Sequence, residues 1–242
     1  MVVLIHGFAE DHTVWNFQAQ QLRKNFKVLA IDLPGFSEFD NVVATDISIK
    51  DCAVSLYKVL TKEKIGKCIV IGHSMGGYVA LAFAEQFPQK IIGLGLVHSN
   101  AYKDDEAKME TRIKATKLMA EIGPVPFLEA TTPSLFFNVP ASKAAIAQLM
   151  HAAKNFKTST LITYYNAMRL REDSTLLLKN VSVPVLFIIG KYDKTISIKT
   201  ALGQSYLGPI SYVNILRKSA HMGMLEEPER TTDILHNFCI SI

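Results

Sequence analysis

Six short apolar runs recur along the 242-residue chain, separated mostly by segments with a helical period. The runs are VVLI (2–5), KVLAI (27–31), CIVI (68–71), IIGLGLV (91–97), VPVLFII (183–189) and SYVNIL (211–216). Strands whose apolar residues are continuous rather than alternating are buried on both faces, which is typical of a parallel sheet covered by helices. The sequence therefore predicts an α/β fold with a mostly parallel, doubly wound sheet.

The interval 102–178 interrupts this alternation, because it contains helix-like stretches and no good strand. A structureless loop of that length is implausible in a compact domain, so we predict a helical cap of about four helices. The core is then formed by residues 1–101 and 179–242. The apolar residues of the cap are expected to form its own core, with some of them facing the body of the protein: Met109, Leu118, Met119, Phe127, Leu128, Leu135, Phe136, Phe137, Met150 and Met168.

Composition and charge limit the kinds of partner and function expected for this chain. The chain is 49% hydrophobic and 20% charged, which suits a large buried core. Its net charge of +4 comes from lysines dispersed among acids, so we expect no nucleic-acid partner. No apolar run approaches the roughly 20 residues that span a bilayer, so no membrane partner is expected. The three cysteines lie in no metal or redox spacing, which favours buried thiols, a reducing cytoplasm, no metal site and no cofactor.

The stretch GHSMG (72–76) places Ser74 between a buried strand and a helix-like run, which is the context that G-x-S-x-G requires. A sharp turn from strand to helix strains the serine backbone, and Gly72 and Gly76 provide the necessary room. The turn holds the hydroxyl at the carboxyl end of the sheet, where open α/β sheets bind ligands. Ser74 is therefore the predicted nucleophile, and the Met75 N–H is a predicted oxyanion donor.

A serine hydroxyl needs a positioned base to become a good nucleophile. His221 follows the last strand-like run, and a loop there can return to the carboxyl edge of the sheet, so it is the best candidate base. Asp193 follows the run 183–189 at the same edge and could hold the imidazole in the required tautomer. The chain order Ser, Asp, His is one of the orders known for such triads.

The turn after the first strand supplies the last predicted catalytic group. The His-Gly turn at 6–7 can bring the Phe8 N–H towards the serine as a second oxyanion donor, with that of Ala9 as the alternative. His6 and His73 are interpreted as structural residues of their turns.

Pocket residues are harder to predict from the sequence. We expect Phe136, Phe137 and Met222 to line the substrate pocket. His98 and Asn100 follow the strand 91–97 and could also reach the pocket, although packing within the loop is the favoured role.

Five motifs together resemble those of the α/β-hydrolase superfamily: HGF (6–8), DLPGF (32–36), GHSMGG (72–77), GKYD (190–193) and AHMGMLEEP (220–228). The resemblance is to the capped, serine esterase-like branch, which includes carboxylesterases, enol-lactonases and carbon–carbon bond hydrolases. It implies an α/β-hydrolase fold with the cap inserted after the sixth strand of the family pattern. It also implies Ser74 as nucleophile, Asp193 as acid, His221 as base, and the Phe8 and Met75 amides as the oxyanion hole.

Two departures from the family pattern are visible. The usual pair of strands before the His-Gly strand has no counterpart, so the chain either begins abruptly or lacks N-terminal strands. In addition, DLPGFSEFD (32–40) lacks the second glycine that is common in that loop.

The primary functional hypothesis is a serine carboxylesterase, of the class EC 3.1.1, that hydrolyses a small carboxylic ester through an acyl-enzyme. Ser74 argues against haloalkane dehalogenases and epoxide hydrolases, which resemble this chain but use an aspartate nucleophile. One alternative is an enol-lactonase or carbon–carbon hydrolase, which would need a cation such as Arg112, Arg169 or Arg171; each of these is expected mainly at the surface. The other alternative is a ligand receptor or signalling protein with slow or no turnover.

Overall fold

The apolar runs assemble into one parallel sheet in the computed structural model, which describes residues 1–37 and 46–242. Among the described residues the sheet has six strands in the order β2-β1-β3-β4-β5-β6. The strands are β1 Val2–Ile5, β2 Val28–Ile31, β3 Cys68–His73, β4 Ile91–Val97, β5 Val185–Gly190 and β6 Ser211–Leu216. Each predicted run overlaps one strand and every pairing is parallel, so the predicted sheet is confirmed.

The helices fill the intervals between the strands. They are α1 Asn16–Leu22, α2 Ile49–Lys62, α3 Met75–Gln86, α4 Glu106–Ile122, α5 Pro124–Thr131, α6 Lys143–Ala153, α7 Thr158–Leu170, α8 Thr175–Asn180, α9 Ile198–Ser205, α10 Gly223–Glu226 and α11 Pro228–Ser241. Short 3-10 helices cover His12–Trp15, Pro88–Lys90 and Thr132–Leu135. None of the described helices is both long and apolar enough to cross a bilayer.

Both faces of the sheet are covered, as a doubly wound fold requires. In β1, Val3 and Ile5 belong to the apolar cluster that includes residues of α2 and α3, whereas Val2 and Leu4 belong to the cluster that includes residues of α1 and α11. Successive side chains of a strand point to opposite faces, so a run buried on both faces is apolar throughout. This is why the strands appear in the sequence as continuous apolar stretches.

The helices α4 to α8 lie between β4 and β5, where the sequence predicts helices and no strand. Four of them fall within 102–178, and α8 extends two residues beyond it. The Tyr164 hydroxyl of α7 donates a hydrogen bond to the Pro34 carbonyl (2.8 Å), and the Ser174 amide donates one to the Ala101 carbonyl (2.7 Å). These contacts fasten the inserted helices to loops that follow β2 and β4. The loop of DLPGFSEFD beyond Ser37 lies outside the described residues.

The short helix α9 is absent from the predicted pattern. Its sequence, IKTALGQS, contains a β-branched start and a glycine, both of which are weak helix formers. The Ser197 side chain accepts a hydrogen bond from the Thr200 amide (3.1 Å) and caps the helix, while Ala201 and Gln204 are buried. Tertiary packing and the cap therefore form a helix that the periodicity does not indicate.

All three cysteines are buried free thiols, as the sequence predicts for Cys68. Burial raises the pKa of Cys52 and of Cys239 to about 12, and that of Cys68 to about 11. Cys52 also contacts the Tyr164 hydroxyl at 3.5 Å. These thiols pack in the interior as small apolar groups.

Candidate active site

Ser74 lies in a sharp turn between β3 and α3. Its φ of +49° is in the left-handed region, which non-glycine residues adopt at a cost. The Ser74 amide donates a hydrogen bond to the Val97 carbonyl of β4 (2.9 Å), and this contact holds the turn. A Cβ atom at Gly72 would overlap the Gly76 backbone, and one at Gly76 would overlap the carbonyls of Ile5 and His6. The glycines of GHSMG are therefore required by close backbone contacts.

The structure brings the predicted nucleophile, base and acid together. His221 Nε2 lies 2.9 Å from Ser74 Oγ, and His221 Nδ1 lies 2.8 Å from Asp193 Oδ2. Asp193 follows β5 and His221 follows β6, so both loops leave the carboxyl edge of the sheet where Ser74 projects. The imidazole can therefore accept the serine proton while its other nitrogen donates to the carboxylate.

Asp193 is buried and held as an anion. Its Oδ1 accepts hydrogen bonds from the amides of Thr195 (2.8 Å) and Ile196 (2.9 Å), which leaves Oδ2 for His221. Burial opposes ionisation, but the charge and hydrogen bond of His221 and the contact with His98 outweigh it, so the pKa of Asp193 is held well below its usual range. An ionised carboxylate is what this position requires to stabilise an imidazolium.

Two backbone amides are available near Ser74. Phe8 follows the His-Gly turn and lines the cavity that contains Ser74, while Met75 is the first residue of α3. Neither N–H donates a hydrogen bond to another described residue. The turn that carries Phe8 is tight, because Ala9 has a φ of +56°. Free amides at such a turn and at a helix N-terminus are suitable donors for a developing oxyanion.

Ser74 and His221 open into a cavity of about 160 Å³. Its lining is mostly apolar on the side of the inserted helices and polar near the serine: Phe8, Ala9, Glu10, Ser74, Tyr78, Arg112, Phe127, Leu128, Thr131, Thr132, Ser134, Leu135, Leu149, Met150, Ala153, Tyr165, Met168, Thr195 and His221. Some apolar residues of the interval 102–178 thus face the body, as the sequence predicts. Ligand sites of this kind combine an apolar wall with a few oriented polar groups.

None of the three predicted pocket residues, Phe136, Phe137 and Met222, lines this cavity. Phe136 is extended and buried in an apolar cluster of the core, whereas its neighbour Leu135 lines the cavity. Phe137 is 45% exposed, and its ring stacks on Tyr192 at 4.0 Å between centroids. Met222 is fully buried in the same cluster as Phe136.

A buried ion pair behind the serine was not predicted from the sequence. His73, which the sequence indicates to be structural, directs Nδ1 at Glu10 Oε2 (3.0 Å) and Nε2 at the His221 carbonyl (2.9 Å). Burial favours the neutral forms, but the mutual attraction outweighs it, so the pKa of His73 is raised and that of Glu10 is lowered. His6 is also structural, since its Nε2 accepts a hydrogen bond from the Leu33 amide (3.0 Å).

Substitution of Glu10 by glutamine is expected to lower the free energy of unfolding by about 3 kcal/mol near pH 5.5, because it breaks a buried pair. The raised pKa of His73 stabilises the fold below 6.5, and this contribution is lost as pH rises through the folded pKa. The lowered pKa of Glu10 stabilises the fold above pH 4.5, and this contribution is lost as pH falls through the folded pKa. Measured by urea unfolding, the loss of unfolding free energy in Glu10→Gln should therefore be largest between these two pH values and smaller at pH 9. Glu63→Gln, at an exposed position, is the control, and an equal loss at both pH values would contradict the ion pair.

Arg112 and Arg171 are not surface residues, contrary to the sequence-based expectation. Both guanidinium groups bind the buried Asp104: Arg112 Nε at 2.5 Å and Arg171 Nη1 at 2.8 Å. Arg112 also lies over the Tyr165 ring at 5.5 Å and lines the cavity of Ser74. Two cations share one carboxylate here, so this wall of the cavity carries excess positive charge.

Tyr78 separates the cavity of Ser74 from a larger one. It lines both that cavity and a second of about 450 Å³, and Arg171 covers its ring at 3.9 Å. Asn100 lines the second cavity, whereas His98 lines neither of the two. The sequence-based suggestion that His98 and Asn100 could reach the substrate pocket therefore does not hold for the cavity that contains Ser74.

His98, Asp193 and His221 are the one group of three metal-type side chains found among the described residues, with ligand atoms within 4.8 Å of one another. His221 Nδ1 and Asp193 Oδ2 already bind each other at 2.8 Å. We therefore interpret the group as part of the hydrogen-bonded site around Ser74.

The fold and this site define an α/β protein with a serine at a sharp turn between a strand and a helix. The sequence profile of the α/β hydrolase family matches residues 2–234. The chain therefore belongs to the α/β hydrolase family.

Several characterised proteins are similar over nearly the whole chain. Monoacylglycerol lipase ABHD6 of Bos taurus is 24% identical over 265 residues, which is 100% of this chain and 75% of the relative. A thermophilic esterase of Thermogutta terrifontis, solved with malate bound, has a TM-score of 0.93 at 27% identity and covers 99% of this chain and 89% of its own. The enol-lactonase of Burkholderia xenovorans has a TM-score of 0.91 at 18% identity, and the match covers 99% of this chain and 90% of the enol-lactonase. At this identity the similarity supports the fold alone.

Proposed function

We propose that the protein is a serine hydrolase that cleaves a small carboxylic ester through an acyl-enzyme, with Ser74, His221 and Asp193 as its triad. The observation that carries the proposal is the continuous hydrogen-bonded chain from Ser74 Oγ through His221 to Asp193, at 2.9 and 2.8 Å. The similar esterase of Thermogutta terrifontis and the monoacylglycerol lipase add support.

The mechanism follows from the positions of these groups. His221 Nε2 takes the proton of Ser74 Oγ as the oxygen attacks the ester carbonyl, and Asp193 stabilises the resulting imidazolium. The Phe8 and Met75 amides donate hydrogen bonds to the oxyanion. His221 then protonates the leaving alcohol, and a water molecule that it activates releases the acid.

The inserted helices set the substrate size in this proposal. We assign residues 102–178 as a cap over the core formed by 1–101 and 179–242, because the cavity of Ser74 is lined by Phe127, Met150 and Met168 of that interval. A volume of about 160 Å³ is small beside the roughly 300–1,000 Å³ of most ligand pockets. It suits a short acyl group.

The proposal is tested by pre-steady-state hydrolysis of nitrophenyl esters with acyl chains of increasing length. We expect a burst of nitrophenol equal to the enzyme concentration, followed by slower turnover, with the highest kcat/KM for short chains. Mass spectrometry of the protein quenched during the burst should locate the acyl group on Ser74. Turnover without an acyl group on Ser74, or labelling at another residue, would overturn the assignment.

Arg112 supports a second candidate, in which the substrate carries a carboxylate. A substrate with a carboxylate is expected if the protein is an enol-lactonase or a carbon–carbon hydrolase. Arg112 lines the cavity of Ser74, and Asp104 is shared with Arg171, so the charge of Arg112 is only partly neutralised. The other carboxylate of the lining, Glu10, is balanced by His73. A guanidinium in this position is suited to a carboxylate at the far end of the acyl chain.

Replacement of Arg112 by methionine is expected to lower kcat/KM about 10- to 100-fold for nitrophenyl esters whose acyl chain ends in a carboxylate, because a hydrogen bond to a charged group contributes about 1.5–3 kcal/mol. Neutral esters of the same length should change much less. Arg112→Lys should recover part of the loss, and Arg217→Met, at an exposed position, is the control. If the wild type hydrolyses neutral and anionic esters equally well, the second candidate is excluded.

A further inference from the structure

His98 has an unusual position beside the triad. It is the first residue after β4, its φ is +48°, and its side chain is buried. Its amide donates a hydrogen bond to the Ile188 carbonyl of β5 (2.9 Å). A Cβ atom at Gly223 would overlap the imidazole, and one at Gly190 would approach it at 3.0 Å. The ring therefore fills the space that the missing side chains of Gly190 and Gly223 leave open. The positive φ of His98 is a backbone conformation that costs free energy.

Hydrogen bonding fixes the tautomer of this ring. The Gly223 amide donates to His98 Nε2 (3.2 Å), so the proton of a neutral ring must be on Nδ1. Nδ1 lies 3.5 Å from Asp193 Oδ2, and no closer hydrogen-bond partner for it is found among the described residues. This is the same carboxylate oxygen that accepts the hydrogen bond from His221 Nδ1.

The ring is neutral in the pH range where the triad can act. Burial lowers the pKa of His98 to about 4, although the nearby Asp193 partly opposes this shift. The other titratable groups around it are His221, with ring centroids 5.9 Å apart, and His73, at 6.0 Å, whose charge is paired with Glu10. His98 therefore presents an N–H dipole rather than a charge to the carboxylate.

We propose that His98 is a positioning residue of the active site, which directs its Nδ1–H at Asp193 Oδ2 and holds that oxygen in the plane of His221. The inference rests on the proposed triad. At 3.5 Å the contact is longer than a full hydrogen bond, and such contacts in resting sites often shorten in the transition state. A second donor also withdraws negative charge from Oδ2, so the imidazolium of His221 is stabilised less.

Three proteins test this role: the wild type, His98→Asn and His98→Gly. Asparagine keeps a donor at the place of Nδ1, and both replacements tolerate a positive φ. In His98→Gly we expect the acid limb of the kcat/KM profile to move up by about half a pH unit, which corresponds to about a threefold change in the protonation equilibrium. His98→Asn should remain close to the wild type.

Histidine ¹⁵N NMR in a Ser74→Ala background measures the same effect without turnover. We expect the wild-type His98 to be the neutral Nδ1–H tautomer from pH 5 to 8, and the titration midpoint of His221 to move up in His98→Gly but not in His98→Asn. An Nε2–H tautomer in the wild type, or coincident His221 titrations in all three proteins, would overturn the proposal. If the burst assay shows no burst but the NMR titrations are as expected, the esterase function is rejected and the positioning role of His98 is still supported.

Discussion

Replacement of Ser74 by alanine is expected to lower kcat for esters by about 10⁵- to 10⁶-fold, the loss typical of removing a triad nucleophile. The fold should persist, because Ser74 Oγ contacts His221 and is otherwise directed into the cavity. The backbone strain at φ +49° is present with either residue. Steady-state kinetics with a short nitrophenyl ester measures the first effect, and the melting temperature, which should change by a few degrees at most, measures the second.

Two further variants make this result specific. Ser241→Ala removes an exposed serine at the end of α11 and should leave kcat unchanged. A Ser74→Ala, His221→Ala double variant should be no slower than either single variant, because the two side chains act as a unit. Additive losses would mean that Ser74 and His221 do not act as a unit, and substantial turnover by Ser74→Ala would mean that a different group attacks the substrate.

Replacement of Gly190 by alanine should destabilise the protein by several kcal/mol, which is exceptional for adding one methyl group. Gly190 is the last residue of β5, and a Cβ atom there would overlap the Ala220 carbonyl oxygen and crowd His98. The obstacle is backbone, which cannot move aside as a side chain can. The loops of Asp193 and His221 would have to separate, so activity should fall together with stability.

The matched control is Gly66→Ala, since a Cβ atom at this exposed glycine meets nothing within 4 Å. That variant should be neutral or gain about 0.4–1 kcal/mol through the unfolded state. Urea unfolding of both variants measures the difference. Equal stabilities would show that the β5 and His221 loops can adjust, contrary to the close packing described here.

The elements that were predicted correctly depend on local signals. The strands are continuous apolar runs, and GHSMG carries its own strand, turn and helix, so Ser74 could be placed from neighbouring residues alone. Asp193 and His221 could be selected because each follows a strand of a parallel sheet, and such strands end at one edge. Their approach to Ser74 then follows from the topology.

The remaining features depend on contacts that no local pattern encodes. Glu10 and His73 are 63 positions apart, and the pair that Arg171 forms with Asp104 spans 67 positions. Phe136 was predicted to face the pocket, but the preceding 3-10 helix directs Leu135 there instead. Side-chain direction near an irregular turn depends on a few backbone angles, and residue type does not determine them.

The state of the cysteines has a practical consequence for following motion in this protein. All three thiols are buried with pKa values of about 11 or 12, so almost none of their sulfur is thiolate at neutral pH. A cysteine introduced at an exposed position of the inserted helices, with a second on the core, would be labelled selectively, because the native thiols would not react. A fluorophore pair attached in this way would report the distance across the cavity entrance while a substrate binds, without removal of the native cysteines.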